Sequence, residues 1–166
     1  MAHEAGGGRG RPYELLSCWL LEVERERVFE ALWESERWPD WWPGVVEATE
    51  IARGGPDGVG RKGRYEWRST IPYPVRFEVR STEVSRPWLL AGQASGDLVG
   101  EGTWRMFQQG PLCAITYRWS VRPTKPWMRA LGPLLRPVFV WNHDRVMAGG
   151  AAGLAEWLEC PLVAAD

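Results

Sequence analysis

The sequence predicts a single α+β domain. In this domain a curved antiparallel sheet of about seven strands wraps around one long C-terminal helix, and two short helices follow the first strand. Three observations predict the class: residues 13–23 and 45–122 have the composition and turns of strands, residues 24–42 carry apolar side chains at helical spacing, and residues 137–160 form one long helical stretch. Hairpin connections make neighbouring strands antiparallel, and a single long helix has to cover the buried side of the sheet.

The composition is that of one globular domain. The chain has 166 residues and a formal net charge of −1, so charge does not favour a nucleic-acid or anionic-membrane partner. No apolar run approaches the roughly 20 residues of a membrane span, and the first residues lack the apolar region of a signal peptide. We therefore expect a flexible N-terminal tail over residues 1–11, one domain over residues 12–160, a C-terminal tail over residues 161–166, and a cytoplasmic location.

The residues that most often bind metals or cofactors are few and scattered. Three cysteines and two histidines show no metal-ligand spacing. The glycine pairs near residue 55 belong to a hairpin turn rather than a nucleotide-binding loop, and no Gly-x-Ser-x-Gly motif is present. We expect no metal, no cofactor and reduced cysteines. The cysteines are Cys18, Cys113 and Cys160.

The first strand and the two short helices follow from changes of period. Residues 13–23 are apolar on both faces, which favours a strand covered on both sides over a strand that contacts another molecule, although a homodimer remains possible. Residues 24–35 are apolar at helical spacing, and residues 35–42 form a second short helical piece that is rich in tryptophan. These tryptophans either guard an opening at one end of the sheet or hold the two helices in place: Trp38, Trp41 and Trp42.

Six further strands are predicted between residues 45 and 122, and their alternation assigns an inner and an outer face. The charged residues Glu66, Arg76 and Arg118 are placed outside, but a one-residue slip would turn any of them inward. The chain has 12 tryptophans, which indicates either a heavily aromatic core or an aromatic-lined cavity. The inward residues taken as candidates for a cavity wall are Trp67, Phe77, Gln93, Trp104, Tyr117 and Trp119.

The long C-terminal helix is predicted over residues 137–160, after a short helical piece at residues 127–131. Trp141 and Asn142 are assigned to its inner side, as candidates for ligand contacts. Gly149 and Gly153, in a run of small residues within this helix, are candidates for ligand contacts as well. Residues without side-chain bulk leave either close backbone packing or empty space beneath the helix, and both alternatives stay open.

Several short motifs resemble the START-like superfamily, also called SRPBCC, which includes polyketide cyclases and dehydrases and lipid-transport proteins. The resemblance runs from residue 13 to about residue 158 and implies the helix-grip fold, with a deep apolar cavity between the sheet and the long helix. The motifs are structural rather than catalytic, so they say little about chemistry. They are Val28-Phe29-Glu30-Ala31-Leu32-Trp33, Trp38-Pro39-Asp40-Trp41-Trp42-Pro43-Gly44-Val45, Ser85-Arg86-Pro87, Gly100-Glu101-Gly102-Thr103-Trp104, and Trp141-Asn142-His143-Asp144 with Met147.

The function that this resemblance implies is binding or transport of a hydrophobic small molecule such as a lipid, polyketide or isoprenoid. One alternative is a polyketide cyclase or dehydratase that uses the same cavity; another is a module that docks a protein and holds no ligand. Catalytic residues are unknown, and the candidates are Tyr117, Asn142 and His143. Each has an ordinary structural role as its alternative: a core tyrosine, an amide bonded to backbone, and a solvent-facing histidine.

Overall fold

The computed structural model describes residues 11–166, except the side chain of residue 133. It confirms the predicted class: a curved, unclosed antiparallel sheet packs against a long C-terminal helix, and short helices follow the first strand. The predicted N-terminal tail lies outside the described residues, apart from residue 11. The elements are β1 Tyr13–Glu22, α1 Arg25–Trp33, a 3-10 turn Ser35–Arg37, α2 Trp38–Trp41, β2 Val45–Ala52, β3 Lys62–Trp67, β4 Val75–Ser85, β5 Leu89–Gly96, β6 Leu98–Gln109, β7 Leu112–Pro123, α3 Pro126–Ala130, α4 Gly132–Trp157 and β8 Leu162–Ala165.

The sheet has eight strands in the order β2-β3-β4-β5-β6-β7-β1-β8, one strand more than predicted. The additional strand, β8, lies in the segment that the sequence assigned to a C-terminal tail, so that assignment is wrong. β8 pairs antiparallel with β1, and two backbone hydrogen bonds of 3.0 and 2.9 Å join Cys18 to Asp166. A four-residue strand forms because it extends an existing edge, which satisfies backbone groups on both partners.

The core lies between the inner face of β1, β6 and β7, the helix α1, and the C-terminal half of α4. Phe29 of α1 and Leu154 of α4 are fully buried within it. The outer face of β1 has no cover of this kind, because Leu16 is 65% exposed and Cys18 is also exposed. The prediction that this strand is covered on both faces is therefore wrong for its outer face.

The small residues of α4 allow close packing rather than empty space. A side-chain carbon at Gly153 would overlap the carbonyl oxygen of Trp41, and one at Gly150 would overlap the indole of Trp42. The indole Nε1 of Trp42 donates a 3.0 Å hydrogen bond to the carbonyl of Val146. Absence of side chains at these glycines therefore lets α2 lie directly against α4 and holds the C-terminal half of α4 in place.

Candidate functional site

A cavity of about 180 Å³ lies between the inner face of the sheet and the N-terminal half of α4. Its walls are almost wholly apolar and aromatic, and no Asp, Glu, Lys or Arg lines it among the described residues. The lining residues are Tyr13, Leu15, Trp38, Trp42, Trp67, Ser69, Ile71, Tyr73, Val75, Phe77, Leu98, Trp104, Tyr117, Trp119, Val121, Pro123, Trp127, Met128, Phe139, Asn142, His143, Val146 and Met147.

The floor of the cavity is a stack of aromatic rings from β6 and β7. The ring centroids of Trp104 and Tyr117 are 4.0 Å apart with planes at 17°, and those of Tyr117 and Trp119 are 5.6 Å apart at 25°. Strand alternation places these side chains on one face, and Gly102 makes room for them. A side-chain carbon at Gly102 would come within 2.6 Å of the Trp119 ring and 2.8 Å of the Tyr117 hydroxyl. A glycine inside this strand therefore permits a flat aromatic surface.

The opposite wall is the inner face of α4, which contributes both apolar and polar side chains. Phe139, Val146 and Met147 supply the apolar part, and Asn142 and His143 supply the polar part. The imidazole of His143 is mostly buried, with 13% of its side chain exposed, and its Nδ1 lies 3.5 Å from Oδ1 of Asp144. Adjacent residues on a helix point in different directions, so Asp144 remains on the solvent side while His143 reaches the cavity.

Burial shifts the acidity of the two titratable groups that the sequence singled out. Burial lowers the pKa of His143, and the neighbouring Asp144 carboxylate opposes that shift only in part. Burial also raises the pKa of the Tyr117 hydroxyl well above its usual range, so it stays protonated at any physiological pH. Three buried polar atoms on lining residues have no hydrogen-bond partner among the described residues: Trp67 Nε1, Asn142 Oδ1 and His143 Nε2.

The cavity reaches the protein surface beside α3. Trp127 lines the cavity and is 44% exposed, so it marks the opening. Its ring meets the ring of Tyr73 edge-on at 5.6 Å, and the Lys125 ammonium lies 4.2 Å above the same tyrosine ring. Trp38 and Trp42 also line the cavity, and their ring centroids are 5.2 Å apart. Of the two roles proposed for these tryptophans, the structure supports holding the short helices in place.

The structure brings seven of the predicted site residues together around this cavity. These residues come from β3, β4, β6, β7 and α4: Trp67, Phe77, Trp104, Tyr117, Trp119, Asn142 and His143. The five strand residues lie on the inner face that alternation assigned to them, and Asn142 lies on the inner side of α4 as predicted. His143 also lines the cavity, so the solvent-facing alternative for it is wrong. Contact with a ligand remains a proposal for each of them.

Four predicted ligand-binding residues do not line the cavity. Gln93 is exposed on the outer face of β5, paired in register with Arg80 and Glu101. Trp141 is 49% exposed on the outer side of α4. Gly153 packs against α2, and the nearest atoms to a side-chain carbon at Gly149 belong to Pro43, 3.9 Å away. Each of these four residues lies away from the cavity, so its predicted place in the cavity wall is wrong.

The residues whose direction the sequence left in doubt all point outward. Glu66 forms ion pairs with Arg76 at 2.7 Å and Arg68 at 3.1 Å, and Arg118 pairs with Glu14 at 3.6 Å. None of these residues lines the cavity. The charged outer faces of the strands are therefore solvated surface, as the alternation indicated.

Sequence reasoning missed the residues that surround the opening. Ile71, Tyr73, Trp127 and Met128 lie in a loop and a short helix, and they line the cavity although no periodic pattern assigns them a face. Their apolar character within proline-rich connections was the available signal. Among residues 11–166 no helix is long and apolar enough to cross a bilayer, and no cluster of three or more side chains suited to a metal ion is found.

Comparison with known proteins places the fold but not the function. No family model matches the sequence, and no curated protein matches it either. A START superfamily protein from Mycobacterium smegmatis superposes with a TM-score of 0.72 at 13% identity, covering 88% of this chain and 97% of its own. The Zhui aromatase/cyclase from Streptomyces sp. R1128 gives 0.70 at 13% identity, covering 89% and 94%.

Human STARD10 shows the same likeness, with a TM-score of 0.63 at 17% identity over 88% of this chain and 64% of the human chain. At identities this low, the comparison shows a shared architecture and assigns no role to any residue. The shared architecture agrees with the motifs in the two short helices and in α4. The chain therefore has the START-like, helix-grip fold that those motifs predict.

Proposed function

We propose that this protein binds a small, largely apolar molecule in the cavity between the sheet and α4. The observation that carries the proposal is a cavity of about 180 Å³ with aromatic walls and no charged lining residue among those described. Apolar enclosure of this kind favours ligands that lose water readily. A protein that only needed a filled core would gain stability from packing this space, because a void forfeits contact energy.

The size of the cavity narrows the ligand class. A cavity of about 150 Å³ in an engineered protein is enough for benzene, whereas drug-sized ligands occupy roughly 300–1,000 Å³. A volume of about 180 Å³ therefore suits a molecule with one or two rings. Of the classes expected from the sequence, a small isoprenoid or a short aromatic polyketide product fits best, and a two-chain lipid would require the cavity to widen.

Calorimetric titration with naphthalene tests the proposal directly. We expect saturable binding by the wild type and none by Val146→Trp, because residue 146 lines the cavity and an indole would fill it. The matched control is Leu134→Trp, which adds the same indole on the outer side of the same helix, where Leu134 is 78% exposed. Equal binding by both variants would show that the ligand binds elsewhere.

An enzymatic role is a second candidate, and one observation favours it. His143 is the kind of titratable group that acid–base chemistry needs, and the structure brings it to the cavity with its pKa lowered. The Zhui protein, which shares the fold, is an aromatase/cyclase. A cyclisation assay on a short polyketide analogue would test this role, and we expect His143→Gln to abolish any turnover while naphthalene binding persists.

A docking role is a third candidate, supported by a row of exposed apolar side chains on the outer side of α4, which we call the outer stripe. It consists of Leu134, Val138 and Trp141, which are 78%, 44% and 49% exposed. Contiguous exposed apolar surface marks interaction sites. We infer that a homodimer, which the sequence leaves possible, would use this stripe. Light scattering after size exclusion would then show a dimer that Leu134→Glu converts to a monomer, and a monomeric wild type would exclude it.

A further inference from the structure

Two of the three unpartnered polar atoms on the described lining residues are acceptors, and both lie on α4; the third, Trp67 Nε1, is a donor on β3. Asn142 Oδ1 and His143 Nε2 belong to adjacent residues that both line the cavity, and both atoms are shielded from solvent. Neither atom has a hydrogen-bond partner among residues 11–166. A buried acceptor that loses water without gaining a donor costs free energy, so native proteins leave few of them. Two such atoms beside one cavity therefore indicate where a ligand donor would be most useful.

The protonation of His143 determines which hydrogen-bonding group it offers. Its Nδ1 lies 3.5 Å from the Asp144 carboxylate, an arrangement that favours the proton on Nδ1 and leaves Nε2 as an acceptor. Burial lowers the pKa of the imidazole, and Asp144 opposes that shift only in part, so the neutral form predominates at neutral pH. The Asn142 carbonyl oxygen is an acceptor in any state. The other titratable side chains that line the cavity are three tyrosines: Tyr13, Tyr73 and Tyr117.

A ligand that matches this arrangement has a flat apolar body and one hydroxyl group. The body would lie on the rings of Trp104, Tyr117 and Trp119, whose stacked faces form the floor. The hydroxyl would point away from that floor toward α4, where the two acceptors lie. A charged ligand is disfavoured, because no charged side chain lines the cavity to offset its loss of water.

We propose that the ligand is a hydroxylated one- or two-ring molecule, of the phenol or naphthol class, whose hydroxyl donates its one proton to His143 Nε2, with Asn142 Oδ1 as the neighbouring acceptor. This inference rests on the proposed function, since it names the chemistry of the molecule bound in the same cavity. It assigns His143 and Asn142 to recognition of a hydroxyl proton. It assigns the aromatic floor to recognition of ring shape.

The test compares 2-naphthol with 2-methylnaphthalene, in which a methyl group replaces the hydroxyl at nearly the same size. Each is titrated calorimetrically into the wild type, His143→Phe, His143→Gln and Asn142→Leu at about pH 7.5, above the usual pKa of histidine. We expect His143→Phe to weaken 2-naphthol by about tenfold while 2-methylnaphthalene changes by less than about twofold. His143→Gln retains a carbonyl acceptor and should restore most of the loss.

The ratio of the two dissociation constants decides the outcome, because the different hydration of the two ligands cancels when variants are compared. An equal change for both ligands in His143→Phe and in Asn142→Leu would overturn the hydroxyl assignment and leave the proposed function standing. Absence of saturable binding of either ligand to the wild type would overturn both. Near-ultraviolet circular dichroism of the tryptophans verifies that each variant is folded. If His143→Phe does not fold, Asn142→Leu alone tests the hydroxyl assignment.

Discussion

Replacing Gly153 with alanine is expected to destabilise the protein, although alanine is the better helix former. A methyl group at this position would overlap the Trp41 carbonyl oxygen, which is a backbone atom that cannot rotate away. The helix propensity of alanine favours the variant by about 0.8–1.0 kcal/mol, whereas overpacking costs typically about 1–3 kcal/mol. Because the overlap is with backbone, we expect the upper part of that range and a net loss of about 1–2 kcal/mol.

Gly149→Ala is the matched control, four residues earlier in the same helix. The nearest atoms to its added methyl group are carbons of Pro43 at 3.9 Å, an ordinary contact distance. At this position only the higher helix propensity of alanine acts, so the free energy of unfolding of the variant should rise by up to about 1 kcal/mol. Opposite signs at two glycines in one helix cannot arise from helix propensity.

Urea unfolding followed by tryptophan fluorescence measures both variants, and thermal unfolding gives a second reading. A change of 1 kcal/mol shifts the melting temperature by about 2–4 °C for a domain of this size. We therefore expect Gly149→Ala to melt higher than the wild type and Gly153→Ala to melt lower. If the two variants were stabilised equally, α2 would not lie against α4, and the close-packing explanation of the small residues would be wrong.

Two further variants test other contacts. Trp42→Phe removes the donor to the Val146 carbonyl and empties part of a buried site, so urea unfolding should show a loss of about 2–4 kcal/mol. The control Trp141→Phe, on the exposed side of α4, should change stability by less than about 0.5 kcal/mol. Equal losses would contradict the conclusion that Trp42 is buried and Trp141 exposed. Arg61→Gln should flatten the acid dependence of stability. Burial alone would raise the pKa of Glu36, but the hydrogen bond from Arg61, a backbone hydrogen bond and the charge of Arg61 together outweigh it and lower that pKa from its usual value of 4.5. The stability that this ion pair contributes is complete above the usual pKa of Glu36 and is lost as pH falls through the lowered pKa. The pairing would be refuted if the free energies of unfolding of the variant and the wild type, plotted against pH, ran parallel from neutral to acidic pH.

The strands were predictable where large and small side chains alternate. On β6 the bulky residues Trp104 and Met106 lie two positions apart, and Ile115 belongs to the same kind of alternation on β7. All three are buried. The phase of β5 was not predictable in the same way. Its centre reads Ala91-Gly92-Gln93-Ala94, and small residues do not distinguish an inner from an outer face, so Gln93 was assigned to the wrong side.

The helix α4 shows a different reason for error. Its N-terminal half is apolar on both sides, because the inner side lines the cavity and the outer stripe is exposed. Helical periodicity therefore cannot tell which side faces the sheet, and Trp141 was placed inward. β8 was missed because its stability comes from pairing with β1, a partner more than a hundred residues away in the sequence. Local patterns carry no information about such pairing.

The two halves of α4 have different attachments, and this has a kinetic consequence. The half after Val146 is held by α2 and by fully buried residues such as Ala151 and Leu154, while the half before it rests on the cavity and has an exposed outer side. Amide hydrogens of the first half should therefore exchange with deuterium faster than those of the second. A molecule entering beside Trp127 would have to displace only the more weakly held half, so uptake and release need not wait for the core to open.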